Sequence, residues 1–220
     1  MKRKIFIIIF TAVAIATNYL CSYLAGLIAF PLYLDSILTI ALTALCGPIP
    51  GIICAVASNF LLYIFAHTGI LFTLCHVSTA VVAHLIFRGE YKKASKLKGI
   101  QGVQSQGLQN QRVHGYANFS YSTESFMWIG LISAITNSVL GDTISYFFYS
   151  ANTTIPQVDN AVQGIYVVTK NLKFAAYFGG TVTNLIDKVF SATVSLFVYR
   201  ISLKIPFYAR NPSIARSISL

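Results

Sequence analysis

Charge is what this sequence has least of. Only 10% of its 220 residues are charged, while 55% are hydrophobic, and the mean hydropathy is +0.67. A soluble domain carries charge on about a quarter of its residues, so an ordinary water-soluble fold is excluded. Motifs of hydrolytic chemistry are also missing. There is no G-x-x-x-x-G-K-[ST] phosphate loop, no H-E-x-x-H pair and no G-x-S-x-G elbow, so nothing here hydrolyses ATP or a peptide through those devices. The four cysteines, Cys21, Cys46, Cys54 and Cys75, all lie in apolar stretches, and no two have C-x-x-C spacing. They read as small core or lipid-facing residues rather than zinc ligands. No metal and no other cofactor is expected.

The charge that is present is basic and clustered. The net charge is +10, which taken alone suggests nucleic acid. Its placement argues against a nucleic-acid partner: Lys2-Arg3-Lys4, the stretch Arg88 to Arg112 and the stretch Arg200 to Arg216 flank long apolar segments. That is the positive-inside pattern of an integral membrane protein. The apolar stretch from Ile5 to about Leu32 is too long for a signal-peptide core, so a retained span is expected. The partner of the apolar surface is then the lipid bilayer, and the location a cell membrane crossed several times.

Six spans are predicted, giving an all-α integral membrane protein, a six-helix transmembrane bundle. They run over Ile5 to Phe30, Asp35 to Leu45, Gly51 to Phe65, Ile70 to Phe87, Phe126 to Tyr149 and Leu172 to Leu203. The second is short for a ~30 Å hydrocarbon core at 1.5 Å per residue. Gly47-Pro48-Ile49-Pro50-Gly51 cannot continue a helix and predicts a tight turn, with Pro50 in the first turn of the next helix. His67-Thr68-Gly69 makes another turn. From 89 to 124 the chain is polar, basic at first and then rich in Gln, Gly, Ser and Asn, which reads as a long loop, disordered in part by composition. Residues 151–170 read as a polar connection. One membrane domain, 1–206, is followed by a basic tail, 207–220. Parity closes with both termini and the 89–124 loop cytoplasmic.

Polar groups within the spans each require a partner. Four Ser/Thr-Asn pairs occur, Thr17-Asn18, Ser58-Asn59, Thr136-Asn137 and Thr183-Asn184; they either bond helix to helix or contact a ligand. Asp142 and the Asp187-Lys188 pair are either a structural ion pair or functional groups. Asp35, at a helix start, is an N-cap by position or a ligand contact. His76 and His84 are eight residues apart, about 12 Å along a helix, too far to share one metal ion without other ligands, and read as hydrogen-bonded bundle histidines. Aromatics crowd the ends of the last two spans, either as an interfacial belt or as a stacking wall for a flat ligand. Ala12 and Ala16 form a small-xxx-small pair that admits another helix closely, inside the bundle or from a partner. Asp142 lies seven residues, about 10 Å, below Tyr149, with Tyr146 on its face one turn further out. Tyr177, Thr181 and Asn184 share a face of the last span, and the stem of Lys188 is long enough to reach up toward Asp142.

Taken together, P-L-Y-L-D-S-I at 31–37, G-P-I-P-G at 47–51, S-N-F-L at 58–61 and T-N-L-I-D-K-V-F-S at 183–191 resemble the substrate-binding S components of energy-coupling factor (ECF) transporters, over Ile5 to Pro206. The resemblance implies a six-helix bundle with cytoplasmic termini. It implies capture of a small-molecule micronutrient, a vitamin or its precursor, on the outer side. It also implies partnership with a membrane coupling subunit and two cytoplasmic ATPase subunits, so the chain itself is not expected to be an enzyme. The family pocket lies among the first outer loop, here with Tyr33 and Asp35, and the outer halves of the last three spans. The substrate-binding candidates are therefore Tyr33, Asp35, Asp142, Tyr146, Tyr177, Thr181, Asn184 and Lys188. Ala12 and Ala16 map onto the family's partner-facing surface. The Gln-rich stretch 99–123 is longer than the family's link, and the missing histidine at the extreme N-terminus speaks against nickel or cobalt as cargo. The competing classes are a membrane sensor or scaffold, and an enzyme using Asp142, Asp187 and Lys188.

The three basic clusters generate a topology prediction. In a cysteine-free background, an impermeant thiol reagent applied to intact cells should label a cysteine placed at 155 and not one placed at 105. Labelling of 105 from outside would reverse the orientation.

Overall fold

The computed structural model describes residues 2–27, 32–104, 120–153 and 155–204. Every regular element among them is helical: α1 (Lys2–Leu27), α2 (Ile37–Cys46), α3 (Pro48–Ala66), a 3-10 turn (Ile70–Phe72), α4 (Thr73–Gln104), α5 (Thr123–Phe148), α6 (Pro156–Thr169) and α7 (Leu172–Leu203). Five helical stretches are long and apolar enough to cross a membrane: Lys4–Leu27, Pro48–Ala66, Ile70–Lys96, Thr123–Phe148 and Leu172–Leu203.

The predicted second span differs from these. α2 has ten residues, about 15 Å, or half a hydrocarbon core. All ten are buried, as expected of a helix apolar all round. It packs against α1, α3, α4 and α7 and forms the centre of the bundle. The five-residue turn expected after it contracts to Gly47 alone, at φ 93, a left-handed value that glycine adopts without steric cost. Pro48 already opens α3 at its first position. The first-turn N–H groups have no acceptor within a helix, so the two prolines cost it nothing there.

Two further boundaries depart from the sequence reading. α4 does not stop at Phe87 but continues as helix to Gln104, through part of what read as loop. Lys, Glu, Ala and Gln are good helix formers, and adding turns to an existing helix is cheap, so the end of the apolar run is not the end of the helix. Residues 105–119 lie outside the described residues, as does the tail from 205. Residues 151–170 are not a plain connection either. They contain α6, which opens on a proline and is anchored by Asp159, whose carboxylate accepts from the Thr153 amide and hydroxyl at 2.6 and 2.8 Å. Its Val158 and Val162 are buried, and Val162 packs with Ala175 and Ala176 of α7.

The end of the bundle from which the basic extension of α4 departs is closed by rings. Phe87, Tyr121, Phe126 and Tyr199 stand with centroids 4.3 to 5.8 Å apart. Glu90 on α4 accepts from the Ser122 amide at 2.9 Å and from the Ser125 hydroxyl, while the Ser122 side chain caps α5 by accepting from the Ser125 amide. α5 and α7 form the most extensive helix pair, through small residues such as Gly130, Ser133, Ala134, Ser191, Ala192 and Ser195, all buried. α1 contrasts with this. Apart from Thr11, Ala14, Asn18 and Ala25, little of it is buried.

A side chain at Gly130 would have its Cβ 3.1 Å from the Lys188 carbonyl oxygen and from Val189 Cα. Gly130→Leu should therefore force α5 and α7 apart and destabilise the protein by about 1–3 kcal/mol, read as an earlier unfolding midpoint in detergent. An unchanged midpoint would mean that the two helices do not meet here.

Candidate functional site

The ends of α3, α4, α5 and α7 that lie away from the basic segments, with the chain before α2 and the 149–155 loop, enclose a cleft with ≈ 580 Å³ of empty space measured out to its mouth. Tyr33 and Asp35 come from the chain before α2, Asn59 and Leu62 from α3, and Thr68 and Phe72 from the turn that follows. Cys75 and His76 come from α4, Asn137, Gly141 and Asp142 from α5, Asn184 and Lys188 from α7, and Thr153 and Ile155 from the loop.

The floor is a charged cluster. Lys188 Nζ lies 2.9 Å from Asp35 Oδ1 and 2.8 Å from Asp187 Oδ2, and donates to the Ser36 hydroxyl at 3.1 Å. His76 Nε2 lies 3.0 Å from the other Asp35 oxygen. Asp187 Oδ1 accepts the Leu34 amide at 2.8 Å, and Leu34 has φ 51, uncommon for a residue with a side chain. A carboxylate of α7 thus holds the entry to α2 in a bent form. All four charged or titratable members are at most 6% exposed.

This arrangement corrects two expectations. Lys188 does not pair with Asp142. Asp142 sits beside Gly180, where an added Cβ would fall 1.8 Å from its Oδ1, and it accepts from Thr181 at 3.3 Å. Gly180 is eight residues before Lys188, about 12 Å along α7, beyond the reach of a lysine stem. Asp35 is not a helix cap. Ser36 holds the N-cap position and makes no side-chain capping bond, and both Asp35 oxygens face the basic groups described above.

Of the eight predicted binding residues, the fold brings Tyr33, Asp35, Asp142, Asn184 and Lys188 to the cleft. The Tyr33 ring centroid is 5.7 Å from Lys188 Nζ, within cation–π range. Tyr146, Tyr177 and Thr181 lie elsewhere. Tyr146 packs on the cluster that α6 forms with α7. Tyr177 bonds Thr143 through its hydroxyl at 3.2 Å. Thr181 is exposed apart from its bond to Asp142. For Tyr146 the cause is α6, whose Val162 belongs to the cluster that this ring packs against.

The asparagines divide between the two readings offered for them. Asn18 joins α1 to α2, donating to Thr39 and accepting the Leu38 amide, each at 2.9 Å. Asn137 joins α5 to α4, donating to Thr79 at 3.0 Å and accepting from Ser78 at 2.7 Å, and Asn59 donates to Thr73; both also border the cleft. Asn184 borders it with no hydrogen bond to its side chain among the described residues. Sequence reasoning placed His76 in the bundle but not beside Asp35, since no spacing rule links positions 41 residues apart. Thr68, Phe72, Cys75 and Thr153 had no signal at all. Ala12 and Ala16 are exposed on α1, so they do not pack inside the bundle. Among the described residues no three His, Cys, Asp or Glu side chains gather as a metal site.

A bundle of membrane-spanning helices with a polar cleft sunk in one end defines a membrane-embedded binding protein. The family model described as the ECF transporter, substrate-specific component, matches residues 6–199, and the chain belongs to that family, whose members bind a small molecule and associate with the ECF module rather than catalyse a reaction. Comparison with curated proteins and with solved structures gave no match.

The charged floor generates a stability prediction. Lys188→Met strands two buried carboxylates and should cost about 3–5 kcal/mol. The triple change Lys188→Met, Asp35→Asn, Asp187→Asn should recover at least half of that loss, measured by chemical denaturation in mixed micelles. Equal instability of the single and triple variants would show that the three side chains are not coupled.

Proposed function

We propose that this chain captures a micronutrient, a vitamin or vitamin precursor, from the outer side of the cell membrane. It passes the cargo to a membrane coupling subunit driven by two cytoplasmic ATPase subunits. Both termini and the basic segment after Phe87 face the cytoplasm, so the cleft opens outward. The observation that carries this reading is the cleft itself, a concave site whose wall sets a few convergent polar groups among apolar side chains, as small-molecule sites do. It lies at the end of the bundle opposite the basic clusters, where an outward-facing site belongs. Family membership supplies the transport context.

The exposed face of α1 supports the partnership. Ala12 and Ala16 lie there among Ile5, Ile8, Ile9 and Val13, all exposed, and two small residues one turn apart let a second helix approach at backbone distance. Ala12→Trp or Ala16→Trp should abolish recovery of the coupling and ATPase subunits with the tagged chain. The small molecule found by mass spectrometry on the isolated chain should be retained in full. Loss of both would place the alanines in the binding fold instead, and an isolated parent chain that carries and binds no small molecule would overturn the carrier reading.

A further inference from the structure

Three carboxylates stand in or directly behind the cleft wall, and their surroundings differ. Asp35 faces Lys188 and His76, and Asp187 faces Lys188 and the Leu34 amide. Asp142, 4% exposed, has no basic group within 4.0 Å among the described residues, and its one side-chain donor is Thr181 at 3.3 Å. That is long for a hydroxyl on a carboxylate, where about 2.5–2.7 Å is usual. A buried carboxylate is ordinarily matched by a cation or by several donors. Within this wall there is no spare cation to match it, since Lys188 is already shared between two acids and His76 is on Asp35.

The Asn184 amide is a second, independent observation. It is 5% exposed, borders the same cleft and has no side-chain hydrogen bond among the described residues. Resting on the carrier reading above, we propose that the cargo is an organic cation: a molecule with a protonated or quaternary nitrogen that docks against the Asp142 carboxylate, with Asn184 bonding its polar edge. A bare metal ion finds no cluster of three His, Cys, Asp or Glu ligands among the described residues, and Leu62, Phe72 and Ile155 on the wall suit an organic body. An anionic cargo meets the opposite condition, a buried carboxyl group that repels it when ionised and that only a proton can neutralise.

The test uses three probes of one shape and three charges: benzylammonium, benzyl alcohol and benzoate. They are titrated against the full chain in lipid nanodiscs, stripped of any small molecule that copurifies. The expected result is that benzylammonium binds about tenfold or more tighter than benzoate. In Asp142→Asn that preference falls to near parity, benzyl alcohol is unaffected, and Asp142→Glu retains the preference. Asp142→Asn keeps the shape of the side chain, and an unchanged unfolding midpoint checks that it folds; Asn184→Ala should weaken all probes that bind without changing their order. Benzoate binding as tightly as benzylammonium overturns the proposal, as does a preference that survives in Asp142→Asn or the absence of binding by all three. The copurified molecule separates the two levels. An anionic cargo keeps the carrier reading and removes this one, whereas a chain with no cargo and no probe binding removes both.

Discussion

One buried ammonium group organises the cleft. Lys188 is buried at the foot of the cleft, 2% exposed, so too little water reaches its charge to solvate it and the protein must pair it. It therefore draws carboxylates to it. Asp187 comes from the adjacent position on α7, and Asp35 from a segment more than 150 residues away in the chain. Drawing Asp35 inward fixes the start of α2, and Asp35 in turn holds His76 of α4. Asp187 bends the chain at Leu34. Ser195, further along α7, donates to the Ile37 carbonyl, so α2 is attached to α7 at two levels. A ten-residue helix too short to span the bilayer is thereby positioned in the middle of five that are long enough.

That geometry separates the polar groups into two populations. Asn18, Asn137, Ser58 and Ser195 are satisfied by neighbouring helices or by their own, and they act as interhelical or local bonds of the modest strength typical of membrane bundles. Asp142 and Asn184 are left facing the cleft with little or no protein partner. The first population makes the bundle rigid enough to hold a cleft open, and the second gives the cleft something to recognise. The outer wall of α1 has neither. It presents apolar and small side chains outward, a surface suited to lipid or to another helix.

Much of the architecture was legible in the sequence because lipid imposes a simple rule. Long apolar runs bounded by basic clusters can only be spans, and the starts and ends of α1, α5 and α7 follow from that rule to within a few residues. The same rule failed wherever polarity and helicity part company. The basic extension of α4 is helical although it is polar, and α6 is helical although it lies between spans. A hydropathy reading sees only that both segments leave the apolar phase. α6 then hid the fate of Tyr146, because helical spacing places residues on a face and does not say what covers that face.

From its sequence alone this protein is determined to be an all-helical membrane protein with few, costly intramembrane charges, and its motifs resemble those of the S components. That much depends on local composition and order along the chain. Which charges meet depended on tertiary structure, since pairing is a matter of distance across helices. Asp142 and Lys188 look like partners on a map of depths, yet about 12 Å of α7 separates Lys188 from the residues that cradle Asp142. Asp35, which looks like a cap by position, is instead brought within 3 Å of Lys188 and His76. Only the packed bundle could show which acid is neutralised and which remains facing the cleft.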